Sequence, residues 1–197
     1  MFITLEGGEG SGKTTLIADL ITWLEAKQLT VVSTREPGGS DIAEKIRQVI
    51  LDVNNTAMTS RTEALLYAAS RVQHLDEVII PALKANKVVL CDRYLDSSLA
   101  YQGHARGLGF DSILKINTYA LDYLPDVTFY IDLDPEIGLD RIKARSQNRL
   151  DKEKLEFHLK VREGYLALAK LYKDRFVVIN GNQPLMSVMS DIKLGLK

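Results

Sequence analysis

The run Gly7-Gly8-Glu9-Gly10-Ser11-Gly12-Lys13-Thr14 has glycine, four residues, glycine, lysine and threonine, the spacing of a loop that wraps phosphate. Glycines let the backbone fold with its amides pointing inward, and a helix starting at the lysine adds the positive end of its dipole. Lys13 would then reach the β and γ phosphates of a nucleotide, and the Thr14 hydroxyl would face Mg²⁺, a cation that prefers oxygen ligands. Gly7 through Thr15 are therefore candidate ATP-binding residues. The plain alternative, a glycine-rich connector, fits poorly with a strand before the run and a helix after it. A second group is made of arginines just after strands or in irregular stretches: Arg35, Arg71, Arg93, Arg141, Arg145 and Arg149. Planar, permanently charged forks suit two substrates that together carry four or more phosphates.

The elements that must position these groups follow from periodicity. β-rich runs at Phe2 to Leu5, Thr30 to Ser33, Val88 to Cys91, Val127 to Ile131 and Phe176 to Ile179 alternate with helix-like sequence, which predicts a parallel sheet covered by helices. The first helix starts within Gly12 to Thr15 and carries Leu16, Leu20, Trp23 and Leu24 on one stripe. Arg61 to Lys84 reads as one long helix with Ala64, Leu65, Ala68, Val72, Leu75 and Ile79 inward and a kink near Pro81. Asp111 to Tyr123, Pro135 to Ala144, Asp151 to Tyr172 and Pro184 to Leu196 read as further helices. The stretches 35–40 and 141–149 read as functional loops. Asp92, at the end of the third strand, stands where such sheets bind ligands and could hold a Mg²⁺ water, orient an acceptor or merely cap a helix.

Bulk properties narrow the class. A chain of 197 residues is long enough for one core of ordinary size, so one domain over 1–197 is expected. The net charge of -1 gives no overall field for nucleic acid or an acidic membrane face, so anion binding must be local. A lone cysteine, Cys91, fits a reducing compartment, and the N-terminal residues show no basic segment, apolar stretch and cleavage site in sequence. No apolar run approaches the roughly 18 residues of a membrane span. A cytoplasmic location is expected. A phosphate loop alone leaves nucleotide switches, ATPase motors and small-molecule kinases open. Asn86-Lys87-Val88-Val89 is not the Asn-Lys-x-Asp run that reads guanine, and there is no basic track for nucleic acid.

Several segments together carry a resemblance. They are Leu5 to Thr15, Thr34-Arg35-Glu36-Pro37-Gly38-Gly39, Glu63 to Arg71, Asp92-Arg93-Tyr94, Ser97 to Gly103, Pro125 to Thr128, Asn148-Arg149-Leu150-Asp151 and Gln183-Pro184-Leu185. Over essentially its whole length the chain resembles the bacterial thymidylate kinase family. That resemblance implies phosphorylation of dTMP to dTDP by Mg·ATP, in a homodimer of a doubly wound three-layer α/β/α P-loop NTPase fold with a five-stranded parallel sheet. It implies that Tyr67 stacks on thymine, that Arg71 and Gln102 bond its edge, and that Tyr101 lies against the sugar. Glu9 would accept from the 3′-hydroxyl, and Arg35, Arg47 and Arg93 would surround the acceptor phosphate, with Ser98 nearby. Arg141 and Gln183 would flank the adenine.

The acceptor, a phosphate monoester with a second pKa of about 6, is already ionised at neutral pH and needs no general base. The task is to align two polyanions and stabilise the transferring group. Lys13 would serve the donor, with Thr14 and Asp92 toward the metal, and Arg93 the acceptor. The phosphate loop contains no arginine, so the resemblance implies that a lid at about 141–150 supplies it: Arg145 at the transition state, with Arg149 bridging the phosphates.

Overall fold

The computed structural model describes residues 1–144 and 146–196. Five strands, β1 (Phe2–Gly7), β2 (Val31–Arg35), β3 (Val88–Asp92), β4 (Val127–Asp132) and β5 (Phe176–Asn180), form one sheet in the order β2-β3-β1-β4-β5. Every neighbouring pair is parallel. All five lie where the apolar runs predict them, each reaching one or two residues further. The chain goes to one side of β1 for β2 and β3 and to the other for β4 and β5, so the C-terminal end of β1 opens at a topological switch point. The phosphate loop leaves from that end.

Both faces of the sheet are covered, and side chains alternate between them. Ile3, Leu5, Leu90, Phe129, Ile131 and Ile179 enter one core with Leu16, Leu20 and Leu24 of α1 (Lys13–Glu25) and Ile192 of α10 (Leu185–Gly195). Phe2, Val89, Cys91, Tyr130 and Phe176 enter the other. Trp23 only half-buries at the margin, with the Lys27 ammonium 4.4 Å from its ring. No helix among the described residues is long and apolar enough to cross a membrane.

Between the strands the helices differ from those expected. An unexpected helix, α2 (Asp41–Leu51), follows the loop after β2. The long helix is α3 (Ser60–His74), a π-type segment Leu75–Ile79 and α4 (Ile80–Lys84). A proline ring clashes with the carbonyl four residues back, here Glu77, and the widened turn lies where that clash would fall. α3 is also rotated from its expected setting. Leu65, read as inward, is 56% exposed, while Glu63, Tyr67, Ser70, Arg71 and His74 are buried. Leu95 to Ala105, also unassigned, forms α5 (Leu95–Ser98) and a second π-type segment, Leu99–Ala105. The helix expected over 111–123 breaks at Asn117 into α6 (Phe110–Ile116) and α7 (Thr118–Leu121). α8 (Pro135–Ile142) and α9 (Leu155–Leu171) complete the second layer, α9 starting four residues later than expected.

Candidate active site

At the end of β1 the loop curls so tightly that Lys13 folds back over it. Lys13 Nζ donates to the carbonyls of Gly7 at 3.1 Å and Gly8 at 3.0 Å and to Ser11 Oγ at 3.2 Å. Burial, and then the Arg93 charge, lowers its pKa to about 8 against the pull of Asp92, Glu9 and Glu6. Behind the loop α8 presses backbone against backbone. A Cβ on Gly10 would overlap the Gly138 carbonyl, and one on Gly138 would overlap the Glu9 carbonyl. Arg141, at the end of α8, donates from Nη1 to the Gly10 carbonyl at 3.1 Å.

A cavity of about 710 Å³ runs from this loop across the C-terminal ends of β2 and β3 to α3. Gly10 to Thr15 line one end, and Tyr67, Arg71 and Gln102 the other. Asp92 lies on its wall, and its Oδ1 is buried with no hydrogen-bond partner. Thr14 is exposed and lines the loop end of the same cavity. Both are oxygen donors of the kind a hard cation takes.

Arg93 stands between the two ends. It is a non-glycine residue with φ 68, in the left-handed region, a conformation that costs of order 1–3 kcal/mol and persists only where its surroundings hold it. Its Nη2 donates to Glu9 Oε1 at 2.8 Å, and Tyr101 OH donates to the same oxygen at 3.3 Å. The guanidinium lies 5.2 Å from the Tyr101 ring centre. Arg35 and Arg47 also line the cavity. Arg47 donates to the Pro37 carbonyl at 2.6 Å, and Arg35 to Glu44 at 3.0 Å. Burial, then the neighbouring Arg35 charge, lowers the pKa of Arg47. Like charges gathered on one wall favour an anion between them.

The far end rests on buried polar networks that sequence reasoning missed. Arg71 is 1% exposed and donates to Glu36 at 2.8 Å, to Asn117 Oδ1, to the Tyr94 carbonyl at 3.2 Å and to Ser98 Oγ at 2.9 Å. Four of its five N–H groups are thereby engaged, leaving one at Nη1 for a ligand. Glu36 also meets His74 Nδ1 at 3.1 Å, and His74 Nε2 meets Thr34 Oγ1 at 2.6 Å. Gln102 Nε2 donates to Glu63 at 2.9 Å, which turns the amide in a set direction. Burial pushes the Glu63 carboxyl up, but Arg106, Gln102 and Arg149 outweigh it and hold it below its ordinary value.

Most of the expected residues therefore come together, and some do not. Ser98 does not line the cavity; it holds Arg71, and Ser97 faces the space instead. Arg149 is not at the phosphate loop. Its Nη2 bonds Glu63 and its Nε the Ile50 carbonyl at 2.9 Å, because the segment before α9 docks against the end of α2. That segment is shaped by an exchange in which Asn148 N donates to Asp151 and Asp151 N to Asn148 Oδ1. Arg141 and Gln183 lie outside the cavity lining, Gln183 bonding Asp191 at 2.7 Å. Arg145 lies outside the described residues.

The chain matches the family model described as thymidylate kinase over residues 5–192. It is 60% identical over 191 residues to the thymidylate kinase of Acholeplasma laidlawii (strain PG-8A), covering 95% of this chain and 94% of that one. With the thymidylate kinase of Clostridium novyi (strain NT) it shares 55% identity over 200 residues, covering 100% and 98%. The crystal structure of thymidylate kinase from Ehrlichia chaffeensis matches it with a TM-score of 0.83 at 32% identity, covering 100% of this chain and 98% of that one.

Proposed function

This chain belongs to the thymidylate kinase family and phosphorylates dTMP to dTDP with ATP, and we propose how its residues divide that work. The observation that carries the division is one continuous cavity with the phosphate-loop lysine at one end, a buried aromatic–arginine–amide set at the other and Arg93 between them. ATP lies at the loop, its terminal phosphates meeting Lys13 and the amides of Gly10 to Thr15. dTMP lies across the arginines, with Tyr67 stacked on thymine and the remaining Arg71 N–H and the Gln102 amide on its edge. Glu9 and Tyr101 take the sugar, and Arg93, Arg35 and Arg47 the acceptor phosphate.

Mg²⁺ accompanies ATP. The unpartnered Asp92 Oδ1 and the exposed Thr14 hydroxyl are the groups that would hold it or its waters, and it would neutralise charge on the donor phosphates. The protein's own part is alignment. The acceptor phosphate is already ionised, so no side chain need remove a proton, and the strained Arg93 draws it toward the loop.

We read 141–150 as a lid within one domain over 1–197, rooted on α8 and supplying Arg145 to the transferring group. Arg149 would join it only by leaving Glu63; as it stands it anchors the lid's C-terminal base. Arg141 and Gln183 flank the adenine by this reading. The lone cysteine and the nucleotide substrates support a cytoplasmic location.

ADP release should be measured with dTMP, dUMP, dGMP, dCMP, AMP and thymidine as separate acceptors. dTMP should exceed dUMP by about tenfold or more in kcat/KM, the usual range for one methyl in a fitted pocket. Equal use of dUMP would overturn the placement of Tyr67, Arg71 and Gln102. We also propose a homodimer through the outer face of α3, where Leu65 and Ala69 are exposed one turn apart. Leu65→Arg should weaken self-association at least about tenfold, or about 1.4 kcal/mol, by sedimentation. Unchanged association would place the interface elsewhere.

A further inference from the structure

Glu6 has no role in the reaction as described so far, yet it is fully buried in β1, directly before the phosphate loop. Its Oε1 accepts from the Tyr94 amide at 2.7 Å. Its Oε2 accepts from Ser97 Oγ at 2.6 Å and from Tyr165 OH at 2.8 Å. The same two hydroxyls are the partners of Arg93 Nη1, Tyr165 OH at 3.2 Å and Ser97 Oγ at 3.4 Å. They also lie 2.8 Å from each other.

The chemistry of these groups sets a direction. A hydroxyl has one proton to give, a carboxylate only accepts and a guanidinium only donates. With Glu6 ionised and both protons spent on it, the Ser97 and Tyr165 oxygens can only offer lone pairs to Arg93. Glu6 thus makes two otherwise indifferent hydroxyls into acceptors aimed at one guanidinium nitrogen, Nη1. It acts on the backbone as well. Arg93 sits at φ 68, its own amide bonded to the Leu5 carbonyl at 3.0 Å and the next amide, that of Tyr94, bonded to Glu6. Burial and then the Asp96 carboxylate raise the pKa of Glu6 to about 7, while Ser97, Arg93 and Tyr165 favour the carboxylate.

We propose that Glu6 is a positioning residue for the transfer: through Ser97 and Tyr165 it holds the Arg93 guanidinium in the orientation that receives the acceptor phosphate. The inference rests on the assignment of Arg93 to that phosphate.

Glu6→Gln tests it with little change in volume. The Tyr94 amide keeps the glutamine oxygen at the Oε1 position, so the NH₂ falls where Oε2 was. It would then donate to Ser97 and Tyr165 and turn their protons against the N–H groups of Arg93. Steady-state kinetics of the full chain with Mg·ATP and dTMP should show kcat/KM for dTMP lowered by about tenfold to a hundredfold, with KM for ATP within about twofold. Arg93→Ala should give a loss at least as large, and Glu6→Gln should add nothing in the Arg93→Ala background.

Losses that multiply in the double variant, or normal dTMP kinetics in Glu6→Gln alongside a damaged Arg93→Ala, would overturn the inference. Normal dTMP kinetics in Arg93→Ala would instead overturn the assignment of Arg93 itself, and the inference with it. Should Glu6→Gln fail to fold, Tyr165→Phe decides. It removes one of the two acceptors and should produce a smaller loss in the same parameter; unchanged dTMP kinetics there would also overturn the proposal.

Discussion

Lys13→Met should lower kcat by about a hundredfold to a thousandfold while leaving the folded chain as stable as before or more stable. The loss follows from removing the one cation that the phosphate loop points at the donor phosphates. Stability behaves differently because the ammonium is buried against two carbonyls and a hydroxyl, and burial holds its pKa down at about 8. Keeping that charge inside costs the folded state free energy, and methionine fills a similar volume without it. The sign with pH is fixed by linkage. Between about 8 and the ordinary value of 10.5, the unfolded chain keeps a proton that the folded chain has released, so this group shifts toward stability as pH rises. Melting curves of the two proteins should therefore differ most below pH 8 and converge above it. ATP affinity of the parent protein should fall as pH rises through 8, since the free loop then loses its charge. A melting difference that does not change across this range would show that Lys13 is not the group being relieved.

The second large effect lies at the other end of the cavity. Glu36→Gln should destabilise the protein by about 3–5 kcal/mol, the range for removing one partner of a buried ion pair. Arg71 and Glu36 are 1% and 3% exposed in their side chains and 2.8 Å apart, so water cannot replace the lost charge. For a chain of this size that is a fall of roughly 6–20 °C in melting temperature. Since Arg71 also faces the thymine end, the variant should lose dTMP affinity more than ATP affinity in direct binding measurements. A loss below about 1 kcal/mol in denaturant unfolding would mean that Asn117, Ser98 and the Tyr94 carbonyl hold Arg71 without its carboxylate.

What could be read in advance was whatever is local. Strands declare themselves by β-branched runs, and the phosphate loop by eight consecutive residues between a strand and a helix. The networks could not be read because their partners are far apart: Glu6 with Tyr165, Arg71 with Asn117, Glu63 with Gln102. Composition also puts glutamate on the surface by default, whereas Glu6, Glu36 and Glu63 are all inside. One signal was available. Glu63, Tyr67, Ser70, Arg71 and His74 recur at helical spacing, a polar stripe on one face of α3, and choosing the apolar stripe placed Leu65 inward. A glutamate near the end of a strand with no other charged residue was a similar hint at Glu6. Ser98 was misplaced for a geometric reason: adjacent helical residues point about 100° apart, and Ser97 took the cavity side. The helix of 41–51 was overlooked between two segments read for their chemistry.

The nested glycines of the phosphate loop and α8 bear on how this enzyme could be rebuilt. Gly10 and Gly138 allow main chain to lie on main chain, and Arg141 ties the same helix to the loop. The helix is thus half of a matched joint, although in sequence it looks like the stem of the lid. A lid transplanted from another nucleotide kinase should be joined after Ile142, leaving α8 with the loop it was fitted to. A graft that began at Pro135 would carry a foreign side chain into a contact with no room for one, and the damage would surface as weak ATP binding rather than as a faulty lid.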